Sequence, residues 1–210
     1  MNRNLRIPAL ALGILGAAAA AAQAADTAAS SSVDYKHVRV TKTRTPLKRL
    51  DFEVVVPATA DQVWNAFTSD AGVATWCAPK AKVRMELGGD WEVGFAGAAP
   101  GGGTILAWLP EEMLTIHAMA PEQFPTVRRE RTIAVFRFEP AGGKQTRVRL
   151  AQFGWKDGDE WDRAYEYLAQ GNAMLLNMLY KRFTDGPLDW DTIFKKSASD
   201  SRSSKPGSGD

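Results

Sequence analysis

The side chains able to do chemistry are few and scattered. His117 stands in Leu114-Thr-Ile-His-Ala-Met119, where alternation puts it on a face with Thr115 and Met119. If that face lines a cavity, His117 could bind or protonate a ligand near neutral pH; otherwise it is a solvent-facing strand residue. Gln152 shares the side of Val148 and Leu150, and Asn172 falls in the middle of an apolar helical stripe. An amide buried without a partner costs about 1–3 kcal/mol, so each marks either a satisfied core hydrogen bond or contact with a bound molecule. Cys77, His37 and His117 lie far apart, with no C-x-x-C or H-x-x-x-H spacing, so no metal site is expected. No cofactor motif and no G-x-S-x-G elbow occurs, and residues 97–103, though glycine-rich, lack the Lys-Ser/Thr ending of a phosphate loop. The aromatic set Trp76, Trp91, Phe95, Trp108 and Phe124 fits either a core or a pocket wall.

One long helix must position much of this. In GDEWDRAYEYLAQGNAMLLNMLYKRF (residues 158–183), acids crowd the start, Lys181 and Arg182 fall in the last turn, and Gly186-Pro187 stops it. Trp161, Tyr165, Leu168, Leu175, Leu176, Leu179 and Phe183 form one apolar side, with Asn172 inside it; Arg163, Glu166, Gln170, Asn177 and Lys181 lie opposite. Ahead of it comes a strand ending at Pro57, and then Thr59-Ala-Asp-Gln62 at capping-box spacing opens a first short helix. A second helical turn over 70–76 follows, and then period-two alternation from Lys80 to Phe153 predicts about six antiparallel strands. Residues 97–103 read as a hairpin tip and residues 121–125 as an interruption. The fold class is therefore α+β, a curved antiparallel sheet wrapped around a long C-terminal helix, with two short helices after the first strand. Such a sheet need not press evenly on a straight helix, and a pocket between them is expected.

Composition narrows the partners. A basic start, an apolar run and Ala22-Gln23-Ala24 read as a signal peptide over 1–24, cleaved after Ala24, which implies a secreted or periplasmic protein. Arg3 and Arg6 belong to that segment, so of the 26 basic residues 24 remain, against 24 acidic ones. A balance near zero gives no support to nucleic acid as a partner, and no later stretch would span a membrane. Residues 25–48 read as a flexible basic lead-in, and the local run of Lys36, Arg39, Lys42, Arg44, Lys48 and Arg49, which reaches the domain's first residue, suits a solvated face or an anionic partner. Arg128, Arg129 and Arg131 read as a rim patch or a solvated edge. The only cysteine, Cys77, excludes an intrachain disulfide and reads as a buried thiol. One domain covers 49–186; the tail 187–210 carries Asp189-Trp-Asp-Thr-Ile-Phe194, able to dock, and reads as disordered from about 195.

Val56-Pro-Ala-Thr-Ala-Asp-Gln-Val-Trp64-Asn-Ala-Phe67-Thr, Trp76, Leu87-Gly-Gly-Asp-Trp91, Gly103-Thr-Ile and Leu109-Pro-Glu-Glu-Met-Leu114 together resemble the SRPBCC superfamily, the START and birch-pollen-allergen-like helix-grip group. The branch they look most like is the homologues of the heat-shock-protein ATPase activator C-terminal domain. The resemblance covers residues 50 to about 184 and implies the helix-grip fold with a pocket for a small apolar or amphipathic molecule; it does not imply one activity. The leading expectation is accordingly an exported small-molecule-binding protein, with ligand contacts from Asn172, Tyr165, Leu168, His117, Gln152, Trp76, Trp91, Phe95 and Trp108. Catalysis is disfavoured, since a cyclase or isomerase using His117 needs a second converging acid. A protein-interaction module related to chaperone activators is the other alternative, its protein partner unspecified.

Overall fold

Alternating and amphipathic stretches settle into twelve elements in a computed structural model that describes residues 37–194. The expected signal segment, the lead-in up to residue 36 and the tail from 195 lie outside the described residues. Strands β1 (Arg39–Thr43) and β2 (Arg49–Val56) precede helices α1 (Ala60–Thr68) and α2 (Asp70–Ala74). Then come β3 (Lys80–Val83), β4 (Asp90–Gly94), β5 (Gly101–Leu109) and β6 (Met113–Ala118). Helix α3 (Pro125–Glu130), β7 (Thr132–Pro140), β8 (Thr146–Phe153) and α4 (Asp159–Thr184) complete the order. The strands form a single antiparallel sheet in the order β1-β2-β8-β7-β6-β5-β4-β3. This is the α+β helix-grip architecture that the sequence predicts, with α4 laid on one sheet face.

Period-two patterning separates the two faces. On β2 the side chains of Leu50, Phe52, Val54 and Val56 are buried, while Asp51, Glu53 and Val55 look outward. On β8 Val148, Leu150 and Gln152 are buried, leaving Arg147, Arg149, Ala151 and Phe153 outside. Helix α4 returns Tyr165, Leu168, Leu175, Leu176 and Leu179 to the same core. Helix α1 plugs one end, where the Phe67 ring lies 4.7 Å from Trp76 and 5.0 Å from both Phe136 and Phe138. Its start is held as the spacing predicts, with Gln62 Oε1 accepting from the Thr59 amide at 3.1 Å.

Four expectations need correction. Residues 39–43, read as flexible lead-in, form edge strand β1 in register with β2, Arg39 opposite Glu53 and Thr43 opposite Arg49. Their sequence, RVTKT, is mostly exposed, and charge on an edge strand protects it from pairing with other chains, which is why it reads as linker. The two short helices therefore follow the second strand. Gly101–Gly103 belong to β5 rather than to a hairpin tip: a Cβ at Gly103 would lie 2.3 Å from the His117 carbonyl oxygen, so glycine is needed for backbone approach. The expected interruption at 121–125 is present, and α3 follows it unannounced, its first amides bound by a partner from α4: Glu160 Oε1 accepts from Thr126 N at 2.6 Å and Val127 N at 3.0 Å. Asn177, read on the polar side of the long helix, is only 9 % exposed. The tail does dock: Leu188 N donates to Thr75 O, Trp190 Nε1 donates to Ala74 O at 2.7 Å, and Trp190 and Phe194 meet the Phe95 ring edge-on.

Candidate functional site

The two inward amides find each other. Asn172 Nδ2 on α4 donates to Gln152 Oε1 on β8 at 2.7 Å, and Gln152 Nε2 donates to Thr132 Oγ1 on β7, also at 2.7 Å. All three residues are buried, so the relay crosses the core between helix and sheet with its hydrogen bonds made. Beside it remains a void of about 10 Å³ bordered by Trp91, Ile116, Phe136, Leu168 and the two amides. That is room for about one water molecule.

Of the nine expected contact residues, Trp91, Gln152, Leu168 and Asn172 thus meet around one small hollow. The other five do not reach it. His117 lies opposite Thr104 and Ile133 on the outer face, in step with Thr115, because its neighbours Ile116 and Ala118 occupy the inner one. Trp76 is sealed against α1 with its Nε1 on Ala66 O at 2.8 Å. Trp91 is locked the same way, donating to Phe67 O at 2.7 Å. Phe95 packs on the tail, and Trp108 lies half-buried opposite Leu114, beyond a register shift in β5. Tyr165 is anchored at the other end of the core, its hydroxyl within 3.1 Å of Thr43 O and 3.0 Å of Arg49 O. Burial also pushes the Cys77 thiol well up, so it stays protonated.

From Arg39 onward the basic run is engaged within the chain. Lys48 Nζ contacts Asp162 Oδ1 at 2.5 Å, Arg44 Nη2 contacts Glu166 Oε1 at 2.8 Å, and Lys42 pairs with the same Glu166. Arg44 and Lys48 also lie 5.2 and 5.3 Å from the centre of the Tyr165 ring. Residues 42–49 therefore form a strap from the sheet edge across the first turns of α4. The Lys48 hydrogen bond and charge hold the Asp162 carboxyl below its ordinary range.

A much roomier hollow lies on the other side of the sheet. A groove of about 640 Å³ opens on the outer face over β1, β2, β8 and β7. Cross-strand register explains its shape. One row, Thr41–Asp51–Ala151–Val135, has short side chains and makes the floor. The next row, Arg39–Glu53–Arg149–Arg137, is long and charged and makes one wall. Phe153, opposite Ile133, and Arg49 stand on the other side. Glu53 gathers three guanidiniums: Arg149 Nε at 2.9 Å, Arg39 at 3.3 Å and Arg147 at 3.5 Å. Burial raises the Glu53 carboxyl, but the Arg149 hydrogen bond and the charges of Arg39, Arg149 and Arg147 outweigh it and leave it below the usual range. Asp51 is held by a forked contact with Arg49 Nε at 2.8 and 2.7 Å. Arg137 differs. It is exposed, faces Arg149 across the strands, and among the described residues takes part in no ion pair. Sequence reading missed this site because its members are spread over four strands and look, one by one, like solvated sheet positions; only the register brings Ala151 and Val135 into one shallow row.

Comparison with known proteins agrees with this architecture. The Aha1 dimer of Colwellia psychrerythraea superposes with a TM-score of 0.53 at 18% identity, covering 66% of this chain and 97% of that one. A protein from Rhodobacter sphaeroides gives 0.55 at 18% identity, over 71% of this chain and 99% of its own. CalU16 from Micromonospora echinospora gives 0.51 at 18% identity, over 79% and 94%. These likenesses show a shared fold. No curated protein matches the chain in sequence. The family model described as Activator of Hsp90 ATPase homolog 1-like protein matches residues 57–184, from the end of β2 to the last turn of α4, and the chain belongs to that family, within the SRPBCC helix-grip group.

Proposed function

We propose that the protein is a non-enzymatic binding module for a small amphipathic molecule, and that the molecule lies in the groove on the outer sheet face. The observation that carries this reading is the contrast in space. The hollow under α4 holds about one water, whereas the outer groove, at about 640 Å³, has the size of a small-molecule site. Its Ala151, Val135 and Phe153 offer apolar contact beside charged walls, which suits a molecule with one apolar and one polar end. Binding under α4 would have to displace Leu168 or break the Asn172–Gln152 hydrogen bond. Catalysis gains no support, since His117 faces outward and, among the described residues, no carboxylate pairs with it. The apolar and basic start of the chain supports export as the setting, and a mature N-terminus at Ala25 in periplasmic or secreted material would test that.

The test is native mass spectrometry of the mature protein. A retained small molecule should be lost from Ala151→Leu, which fills the floor, and kept by Asn172→Leu. Loss from Asn172→Leu with retention by Ala151→Leu would return the site to the interior. A second reading, a protein partner, is favoured by the family description and by the open backbone edge of β1. It predicts that edge-strand substitutions, not Ala151→Leu, abolish binding.

A further inference from the structure

We infer that the ligand of the outer groove is an anionic amphiphile, bound as a free molecule with its acid group between Arg137 and Arg149. This rests on the reading of the groove as the binding site and adds the charge and orientation of what fills it. Four arginines line the groove (Arg39, Arg49, Arg137 and Arg149) against two carboxylates, Asp51 and Glu53. The carboxylates are already committed, Asp51 to Arg49 and Glu53 to Arg39, Arg147 and Arg149. What remains is positive, and it is localised.

Arg137 and Arg149 are directly opposed on β7 and β8. Like charges in that position repel, and a sheet normally relieves them with an intervening acid. Arg149 has such relief from Glu53 at 2.9 Å and Glu139 at 3.3 Å. Arg137 has none among the described residues, although it borders the groove. A carboxylate or sulfonate on the ligand would supply the missing acid, and a guanidinium can meet it with two parallel N–H donors.

The apolar contacts lie one register step away. Ala151 and Val135 are paired immediately beside Arg149 and Arg137, and Phe153 stands beyond Ala151 on the same strand face. A molecule headed at the arginines would lay its apolar body over Ala151 and Val135 against the Phe153 ring. The short row Thr41–Asp51–Ala151–Val135 is sunk between the arginine row and Arg49 with Phe153, a trough that receives a single molecule rather than a flat lipid headgroup layer.

Isothermal titration of the mature protein with decanoate, decanol and decyltrimethylammonium, each below its micelle concentration, separates the possibilities; vesicles of phosphatidylglycerol form a fourth arm. Decanoate should bind at one site, about tenfold or more tighter than decanol, with the cation not binding. Arg137→Gln should weaken decanoate about tenfold and leave decanol unchanged, and since Arg137 holds no ion pair among the described residues this variant should fold normally. Ala151→Leu should abolish both. Equal affinity for decanoate and decanol overturns the anionic assignment while leaving the groove as the site. Binding to vesicles without binding of monomeric decanoate overturns the free-molecule source. No binding of any amphiphile overturns the inference together with the reading on which it rests.

Discussion

At the level of single residues, the interior amides and the outer arginines play opposite parts. Asn172, Gln152 and Thr132 are hydrogen-bonded in series across the core, so their value is structural. Replacing Asn172 by Leu strands the Gln152 carbonyl oxygen in the core and should cost about 1–3 kcal/mol in urea denaturation. Adding Gln152→Leu removes the stranded group, although it leaves the Thr132 hydroxyl oxygen without the donor it had, so the double variant should lose less than the two single losses combined. A fully additive double variant would show that the two amides do not act as a pair. Glu53 is the outer counterpart. Its folded carboxyl lies below the usual range despite burial, so it stabilises the fold above the ordinary glutamate value of about 4.3, and that stability is lost as pH falls through the lower folded value. The midpoint gap between the native protein and Glu53→Gln should be present at neutral pH and close in that acidic window. A gap independent of pH would contradict the guanidinium cluster.

Among the elements, the strap over 42–49 and helix α4 explain what sequence patterning reveals and what it hides. Trp161, Leu168 and Leu176 repeat at helical spacing and acids precede them, so α4 was legible to within a residue or two of its ends. Helix α3 was not legible: six residues opening at a proline carry too little periodicity, and their first amides are satisfied by Glu160, thirty-odd positions later. Strand β1 was hidden for a similar reason, since its partners are remote and its own side chains are exposed. The basic run was visible as composition, but its acids, Asp162 and Glu166, lie across the fold, and only tertiary structure shows that the charge is answered within the chain. Tyr165 joins the two, so Tyr165→Phe, which forfeits its hydroxyl contacts with Thr43 O and Arg49 O, should cost about 1 kcal/mol. Amide exchange should quicken in residues 39–49 more than in β7 or β8. Unchanged exchange in the strap would mean that the ion pairs alone hold it.

For the molecule as a whole, the helix grip is closed and the sheet's other face is open. The apolar-in, polar-out alternation that identified the fold also made part of the interior easy to anticipate: Gln152, Leu168 and Asn172 fall on inward faces, the direction of Trp91 is left open by its pattern, and all four border the same small void. Whether that interior is hollow depends on side-chain volumes across facing elements, which no single stretch encodes. The outer groove depends on the same kind of information, a short row between two long ones set by strand register. The central claim is therefore positional, and residue-resolved NMR mapping with decanoate tests it most directly. Amide and side-chain shifts should move at Val135, Arg137, Ala151 and Phe153 and stay fixed at Leu168 and Asn172. Shifts concentrated at Trp91, Leu168 and Asn172, with the outer row unmoved, would contradict it.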